Sequence, residues 1–264
     1  MKPEISVVMP AYNAERFIDA SLTSLLGQKG LIEVGCEIIL VNDGSRDQTA
    51  TRLAAWEKTN KRKEQLRVIE QDNQGVAKAV NRGLEQARGK YVVLVDADDL
   101  LAQRALAQLH DQIKKTSSAL VVGQHLGFDS ETGKFLFRTD KENFKVKGNN
   151  PLEEPLLRAF GLGHPKIVRR TDFEKINGFD PKTNFASDYD FVLKLLFPGE
   201  IKQWDLVDKI LYFYRVHSSS SVCHRTEQLR GAERALNATL GRLGITGQAR
   251  FAGRNELGLL SYTF

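Results

Sequence analysis

Short apolar runs and segments with apolar positions every three to four residues take turns along the first part of the chain, with polar loops between them. Ile5-Ser6-Val7-Val8-Met9 predicts a buried strand stopped by Pro10, and after the loop Ala11-Tyr12-Asn13 a helix carries Phe17, Ile18, Leu22, Leu25 and Leu26 at helical spacing. A second strand covers Glu37 to Val41, followed by the loop Asn42-Asp43-Gly44-Ser45 and a helix from about Asp47 through Leu53 and Trp56. Leu66 to Ile69 is a third strand. The loop Gln71 to Gly75 then feeds a helix with Val76, Ala79, Val80, Leu84 and Ala87, closed by Gly89. Tyr91-Val92-Val93-Leu94-Val95 is apolar on both alternating faces, which suits a central parallel strand covered on both sides. A helix beginning at Leu100 and running through Leu101, Ala105, Leu106 and Leu109 follows it. The fold class is α/β: a Rossmann-like, mostly parallel central sheet flanked by helices.

After about Lys115 the texture becomes α+β. Ala119 to Val122 and Lys134 to Phe137 predict strands joined by the polar turn Asp129 to Gly133, and Asn149, Asn150, Pro151 and Glu153 make a helix-start signature. Ile167-Val168 is a short strand, Thr171 with Glu174 can cap a brief helix, and Gly178-Phe179-Asp180-Pro181 ends it. Ser187 to Asp190 opens a helix with Phe191, Val192, Leu195 and Leu196 on its apolar side, and Ser187-x-x-Asp190 has the form of a capping box. Ile210 to Tyr214 is strand-like and leads to Arg215-Val216-His217 and the serines 218–221. From about Arg225, Leu229, Ala232, Leu236, Leu240 and Leu243 form one helical stripe. The pattern thus predicts one domain over 1–221, in halves 1–115 and 116–221, and an amphipathic helical extension over 222–264.

Hydrophobic residues make up 41% and charged residues 27%, the balance of an ordinary globular chain rather than a disordered one. The net charge of +5 suits anionic partners without choosing among them. Aromatics fall mainly in strands and apolar faces rather than interleaved with a basic patch, so no nucleic-acid partner is expected. Cys36 and Cys223 stand far apart, outside any Cys-x-x-Cys spacing, which points to a reducing cytoplasm and to no zinc site. No signal peptide or transmembrane helix is expected, since no run of 18 apolar residues occurs. The C-terminal segment carries six Arg and three Glu, so its helix could lie peripherally on an anionic membrane face, or pack on its own domain or on a second copy as a homodimer.

The candidate chemistry lies where the fourth strand ends. Asp96-Ala97-Asp98-Asp99 places three carboxylates at the carboxyl end of a central strand, where open α/β sheets put their ligands. Like charges this close raise one another's pKa unless a cation joins them, and Mg²⁺ or Mn²⁺ takes oxygen ligands of this kind and attracts phosphates. The competing role is that Asp98 or Asp99 caps the helix expected at Leu100. Asp43 also lies just past a strand's carboxyl end, as a ligand or as a turn former, and Tyr12 is either a stacking platform or a loop anchor. Lys78 reaches phosphate or is solvated, and His217 is a neutral metal ligand or a surface residue.

Four stretches carry a resemblance. Ser6-Val7-Val8-Met9-Pro10-Ala11-Tyr12-Asn13, then Val41-Asn42-Asp43-Gly44-Ser45 with Thr49, then Asn73-Gln74-Gly75 with Asn81, and finally Asp96-Ala97-Asp98 stand in the order found in family 2, the inverting nucleotide-sugar glycosyltransferases of the GT-A fold. Gly178-Phe179-Asp180, Ser187-Asp188 and Tyr214-Arg215-Val216-His217 with Ser220 are similar to that family's acceptor-side elements. The resemblance implies a nucleotide-binding half over 1–115 and an acceptor-binding half over 116–221. It implies donor contacts from Pro10, Ala11, Tyr12, Asn13, Asp43, Gly75, Lys78, Asn81, Asp96 and Ala97, metal ligation by Asp98 and His217, and base catalysis by Asp188. Ser187 stands where the family usually has Glu or Asp, and Val80 where it often has Arg.

The expected activity is metal-dependent transfer of a sugar from a nucleoside diphosphate, UDP first, to a saccharide or lipid-linked saccharide, with inversion. A sugar nucleotidyltransferase would need a Gly-rich loop and Lys straight after the first strand, and Pro10-Ala11-Tyr12-Asn13 has neither. A non-catalytic sugar-nucleotide-binding protein is the second alternative.

Overall fold

The computed structural model describes residues 2–30, 35–60, 65–139, 163–197, 204–220, 223–246, 248, 250–254 and 260–263. Three βα units open the chain: β1 (Ile5–Ala11) and α1 (Ile18–Leu26), β2 (Cys36–Asp43) and α2 (Thr49–Thr59), β3 (Leu66–Gln71) and α3 (Val76–Gln86). Then come β4 (Tyr91–Leu94), the two-residue β5 (Leu100–Leu101), α4 (Ala105–Thr116), β6 (Leu120–Asp129) and β7 (Phe135–Arg138). The second half continues with β8 (Lys166–Arg169), α5 (Arg170–Lys175), a 3-10 turn (Pro181–Ala186), α6 (Ser187–Leu196) and β9 (Trp204–Val216). Last are α7 (Arg225–Arg242) and a separate antiparallel ribbon of β10 (Arg250–Arg254) and β11 (Leu260–Thr263).

Among the described residues the main sheet runs in the order β3-β2-β1-β4-β8-β6-β9-β5, with β7 paired to β6. Strands β1 to β4 are parallel, as are β6 and β9, while β8 is antiparallel to both β4 and β6 and β5 is antiparallel to β9. Alternation along the strands divides the core into two layers. Val8, Ile39, Val41, Val92, Leu94 and Val168 face α3, α6 and α7, whereas Val7, Met9, Ile38, Leu40, Val93 and Ile167 face α1 and α4. This double coverage is why the central strands read as continuous apolar runs. Helix α7 joins the first layer, with Ala232, Ala235, Leu236 and Leu240 all at most 2% exposed.

Several expectations need correction. Pro10 does not end β1, because the β4 ladder stops at Val8, and beyond it the side on which a proline lacks its donor has no neighbour. Leu100 and Leu101 do not begin a helix; they pair antiparallel with Phe213 and Tyr212, and α4 starts at Ala105 after Arg104. The open side of β9 captured two leucines that helical periodicity had claimed, so neither Asp98 nor Asp99 caps α4. Thr171 lies inside α5, which begins at Arg170 straight from the extended Arg169, and no side chain caps it. The 3-10 turn runs directly into α6, leaving Ala186 at the cap position, and Asp190 pairs with Lys194 at 2.9 Å instead of closing a box with Ser187. The helix start at Asn149, Asn150, Pro151 and Glu153 lies outside the described residues, as does Ser221.

Candidate active site

The acidic loop is held from both sides. Val95 N–H donates to Val8 O at 3.1 Å, so the loop leaves β4 beside β1. Asp96 N–H donates to the Tyr212 hydroxyl at 3.1 Å. Asp99 Oδ1 accepts the backbone N–H of Arg215 at 2.7 Å, and Arg215 Nε donates back to Asp98 O at 2.7 Å. With Asp99 and Tyr212 buried, the loop is shaped from beneath by β9. The Arg215 guanidinium lies between the Phe17 and Phe128 rings, 5.1 and 4.9 Å from their centroids.

This shape delivers Asp98 to His217. Asp98 Oδ2 stands 3.0 Å from His217 Nε2, with 34% and 10% of the two side chains exposed. The His217 ring rests 4.5 Å from the Phe17 ring, and its backbone N–H donates to Ser220 Oγ at 3.0 Å, while Ser220 Oγ–H donates to Arg215 O at 3.1 Å. The tilted contact with the Phe17 ring and this serine-closed turn hold the imidazole against the carboxylate. Among the described residues no three His, Cys, Asp or Glu converge on one point.

Asp96 faces a second set of charges. Although 36% of its side chain still meets solvent, burial pushes its carboxyl up to about 7, with repulsion from Asp98 and Asp188 adding and Lys166 opposing. Burial likewise holds Asp99 well above the usual carboxylate range, with Asp98 and Asp96 contributing. His164 brings Nε2 to 3.7 Å from Asp96 Oδ2, places Nδ1 3.1 Å from Leu94 O, and stacks on Tyr212 at 5.5 Å. Burial lowers His164 and His125 to about 4 each, so both imidazoles are neutral near pH 7. Lys166 is 1% exposed at the start of β8, 5.7 Å from the Phe191 ring, and the charges of Asp188 and Asp96 counter the downward push of burial on its ammonium. Asp188 opens α6, with its Oδ1 accepting Tyr189 N–H at 2.8 Å. The fold thus gathers Asp96, Asp98, Asp188 and His217 around the carboxyl end of β4.

The first three loops form the neighbouring wall. Tyr12 is 46% exposed, Pro10 half-buried and Ala11 buried. Asn13 sits at φ 49° and clasps the second loop: its N–H donates to Ser45 Oγ at 3.0 Å and its Oδ1 accepts from Arg46 N–H at 2.8 Å. Asp43 is 3% exposed, and its carboxylate accepts the N–H groups of Gln74 and Gly75 at 2.9 and 2.8 Å and Gln71 Nε2 at 2.7 Å. It thereby closes the N-terminal end of α3, whose leading Gly75 adopts φ 89°. Lys78 is exposed, with Nζ 3.3 Å from Gln74 Oε1. Asn81 points the other way, toward Phe179. Ala97 is buried within the acidic loop.

Sequence reasoning passed over His164, Lys166 and Tyr212. The signal for Lys166 was a lysine in front of the apolar pair Ile167-Val168 of a short strand, which a purely structural strand in that layer would not choose.

Comparison with known proteins agrees with this geometry. Residues 6–176 match the family described as "Glycosyl transferase family 2". Glycosyltransferase GlyG of Streptococcus pneumoniae serotype 4 is 29% identical over 243 residues, spanning 86% of this chain and 75% of GlyG. The chain spans 63%, 31% and 33% of three further curated relatives. Among solved structures, S. aureus TarS 1-349 in complex with UDP has a TM-score of 0.65 at 22% identity, covering 91% of this chain and 72% of that one. Mannosyltransferase PcManGT from Pyrobaculum calidifontis in complex with GDP-Man and Mn²⁺ has a TM-score of 0.66 at 19% identity, covering 94% and 66%. The fold is that of the GT-A glycosyltransferases, and the chain belongs to glycosyl transferase family 2.

Proposed function

We propose that this glycosyltransferase moves a sugar from a nucleoside diphosphate, UDP in the first instance, to a hydroxyl of a saccharide or lipid-linked saccharide, with inversion and with a divalent cation. The observation that carries the reading is the placement of the Asp98–His217 pair and Asp188 around one strand end, in a chain whose family and fold are those of glycosyltransferases. The bound UDP of TarS and the GDP-Man and Mn²⁺ of PcManGT support a nucleotide sugar and a metal in this fold.

The donor set fits the ion. One carboxylate oxygen and one imidazole nitrogen leave most positions of a Mg²⁺ or Mn²⁺ for diphosphate oxygens and water, the usual arrangement when the cation is shared with a phosphorylated substrate. Bound by Asp98 and His217, such an ion would supply Lewis-acid stabilisation of the departing diphosphate. Tyr12, exposed at the rim, offers its ring to the base, and Lys78 offers its ammonium to phosphate. Asp188 takes the proton of the acceptor hydroxyl as that oxygen bonds to the anomeric carbon and the bond from carbon to the diphosphate oxygen breaks. One in-line displacement inverts the centre. The deciding experiment is a panel of UDP- and GDP-sugars with Mn²⁺, read as nucleotide release and as the anomeric configuration of the product; a retained configuration, or no release from any donor, overturns it.

A further inference from the structure

Asn81 stands in the middle of α3, in the nucleotide half, yet both ends of its amide bond elsewhere. Its Oδ1 accepts Phe179 N–H at 2.8 Å, and its Nδ2 donates to Phe179 O at 2.8 Å, a two-point grip on one backbone residue 98 positions away. The approach is close enough to exclude a side chain at the preceding position. A Cβ on Gly178, which sits at φ +66°, would come within 2.4 Å of Asn81 Oδ1.

Both ends of this grip are rigid. Helix α3 is fastened at its start by the Asp43 carboxylate and lies so flat on the sheet that a Cβ on Gly83 would meet Val8 Cγ1 at 2.4 Å. On the far side, the Phe179 ring stacks on Phe191 with centroids 4.9 Å apart and planes at 1°, and Phe173 stacks on Phe191 at 4.4 Å. Gly178 O accepts Lys194 Nζ at 3.5 Å, and Lys194 pairs with the buried Asp190 at 2.9 Å. Phe191, Asp190 and Lys194 all belong to α6, the helix that begins Ser187-Asp188. Two contacts of different chemistry, the Phe179–Phe191 stack and the Lys194–Gly178 O bond, therefore tie Gly178 and Phe179 to the helix that carries Asp188, and Asn81 fastens the Phe179 backbone to the nucleotide half.

We propose that Asn81 is a positioning residue for Asp188 and does not touch the donor: it fixes how far the first turn of α6 stands from the nucleotide half. The inference rests on the reading of Asp188 as the base. A shift of about 1 Å in a catalytic group can cost on the order of 10²-fold in rate, so a grip at this place controls turnover without contributing to nucleotide affinity.

The test uses Asn81→Asp, which keeps the size and the acceptor but sets a carboxylate oxygen against Phe179 O. Three quantities are measured: UDP affinity by calorimetry with Mn²⁺, kcat and KM for nucleotide release from the UDP-sugar the wild type turns over fastest, and hydrogen exchange across residues 178–196. Expected are a UDP Kd within about twofold of wild type, an unchanged KM, a kcat lower by about 10- to 100-fold, and exchange at least about tenfold faster in the first turn of α6. Gly178→Ala, which breaks the grip from its other side, is expected to give the same pattern and serves if Asn81→Asp does not fold. In an Asp188→Asn background Asn81→Asp is expected to cost little more, since the group it positions is gone. Weakened UDP binding with kcat and exchange unchanged would overturn the proposal and make Asn81 a donor contact. Wild-type turnover in Asp188→Asn alone would instead overturn the base assignment.

Discussion

Asp98 Oδ2 and His217 Nε2 lie 3.0 Å apart although 119 positions separate them in the chain. One end of a central strand and the far end of the longest described strand meet there, and nothing local to either residue creates the pair. If a divalent cation and a nucleoside diphosphate complete it, ligand and metal must stabilise the protein together. UDP at about 100 times its Kd in the presence of Mn²⁺ is expected to add about 2.7 kcal/mol, and the same concentration of UDP without Mn²⁺ is expected to add less. Asp98→Ala should lose the metal-dependent part while keeping its unliganded melting temperature nearly unchanged, since that side chain is one-third exposed. Thermal unfolding with UDP, with and without Mn²⁺, checks this.

Asp188→Asn is expected to reduce transfer by about 10²–10⁴-fold and to leave UDP affinity and fold nearly as they are. Asn keeps the oxygen that accepts Tyr189 N–H, so the local geometry of α6 survives and only the capacity to take a proton is lost. Calorimetric UDP titration beside a turnover assay separates the two effects.

Leu236→Ala is expected to destabilise the protein by about 2–5 kcal/mol, the cost of a cavity in a packed core. Leu236 is fully buried, and nearby a Cβ added to Gly231 would stand 3.0 Å from Ala186 Cβ, so α7 lies tightly against the turn that precedes α6. For the same reason, removing the chain from Arg225 onward should give protein that unfolds at a lower temperature or precipitates. Denaturant unfolding of Leu236→Ala reports the first result, and the soluble yield of the shortened chain the second.

Glu37 is expected to support an acid-sensitive part of the stability, away from the site. Burial alone would raise its carboxyl, but hydrogen bonds from Ser6, from Arg88 N–H and from the Arg88 guanidinium prevail and hold it below the ordinary value of 4.5. A lowered folded-state pKa gives stability that is fully present above the ordinary value and is lost as pH falls below 4.5 through the folded one. Glu37→Gln should cost about 1–3 kcal/mol at pH 7 and flatten the acid limb below that value. Melting temperatures from pH 7 to pH 3 compare the two proteins.

Strands β1, β2 and β4 were legible because burial on two faces writes itself as an unbroken apolar run, and the strand-end acids because such a run has an unmistakable stop. Leu100 and Leu101 were not. Two leucines followed by a real helix fit helical spacing, and only a partner strand more than a hundred residues later makes them extended. The capping signatures at Thr171 and Ser187 failed for a related reason: the residues before them were committed to a strand and to a 3-10 turn, so the cap positions fell elsewhere. Asp98 and His217 could each be named from sequence, but their meeting depends on how β9 crosses beneath the loop. Lys166 and His164 carry no spacing rule at all. Their importance lies in what the sheet sets opposite them.

Only the five residues Val95 to Asp99 separate β4 from β5, and both borders are fastened, by Val95 N–H on Val8 O and by Leu101 N–H on Ser24 Oγ at 3.1 Å. The loop therefore has a locked length. One inserted residue would force a choice between the Asp96–Tyr212 bond and the pairing of Leu100 with Phe213, and either choice moves Asp98 off His217. The turn between β6 and β7 is its opposite: Glu131 and Thr132 are exposed, and a Cβ on Gly133 would find no atom within 4 Å. A short tag or fluorescent probe spliced in at that turn would report on the folded enzyme from outside while leaving its acids where they stand.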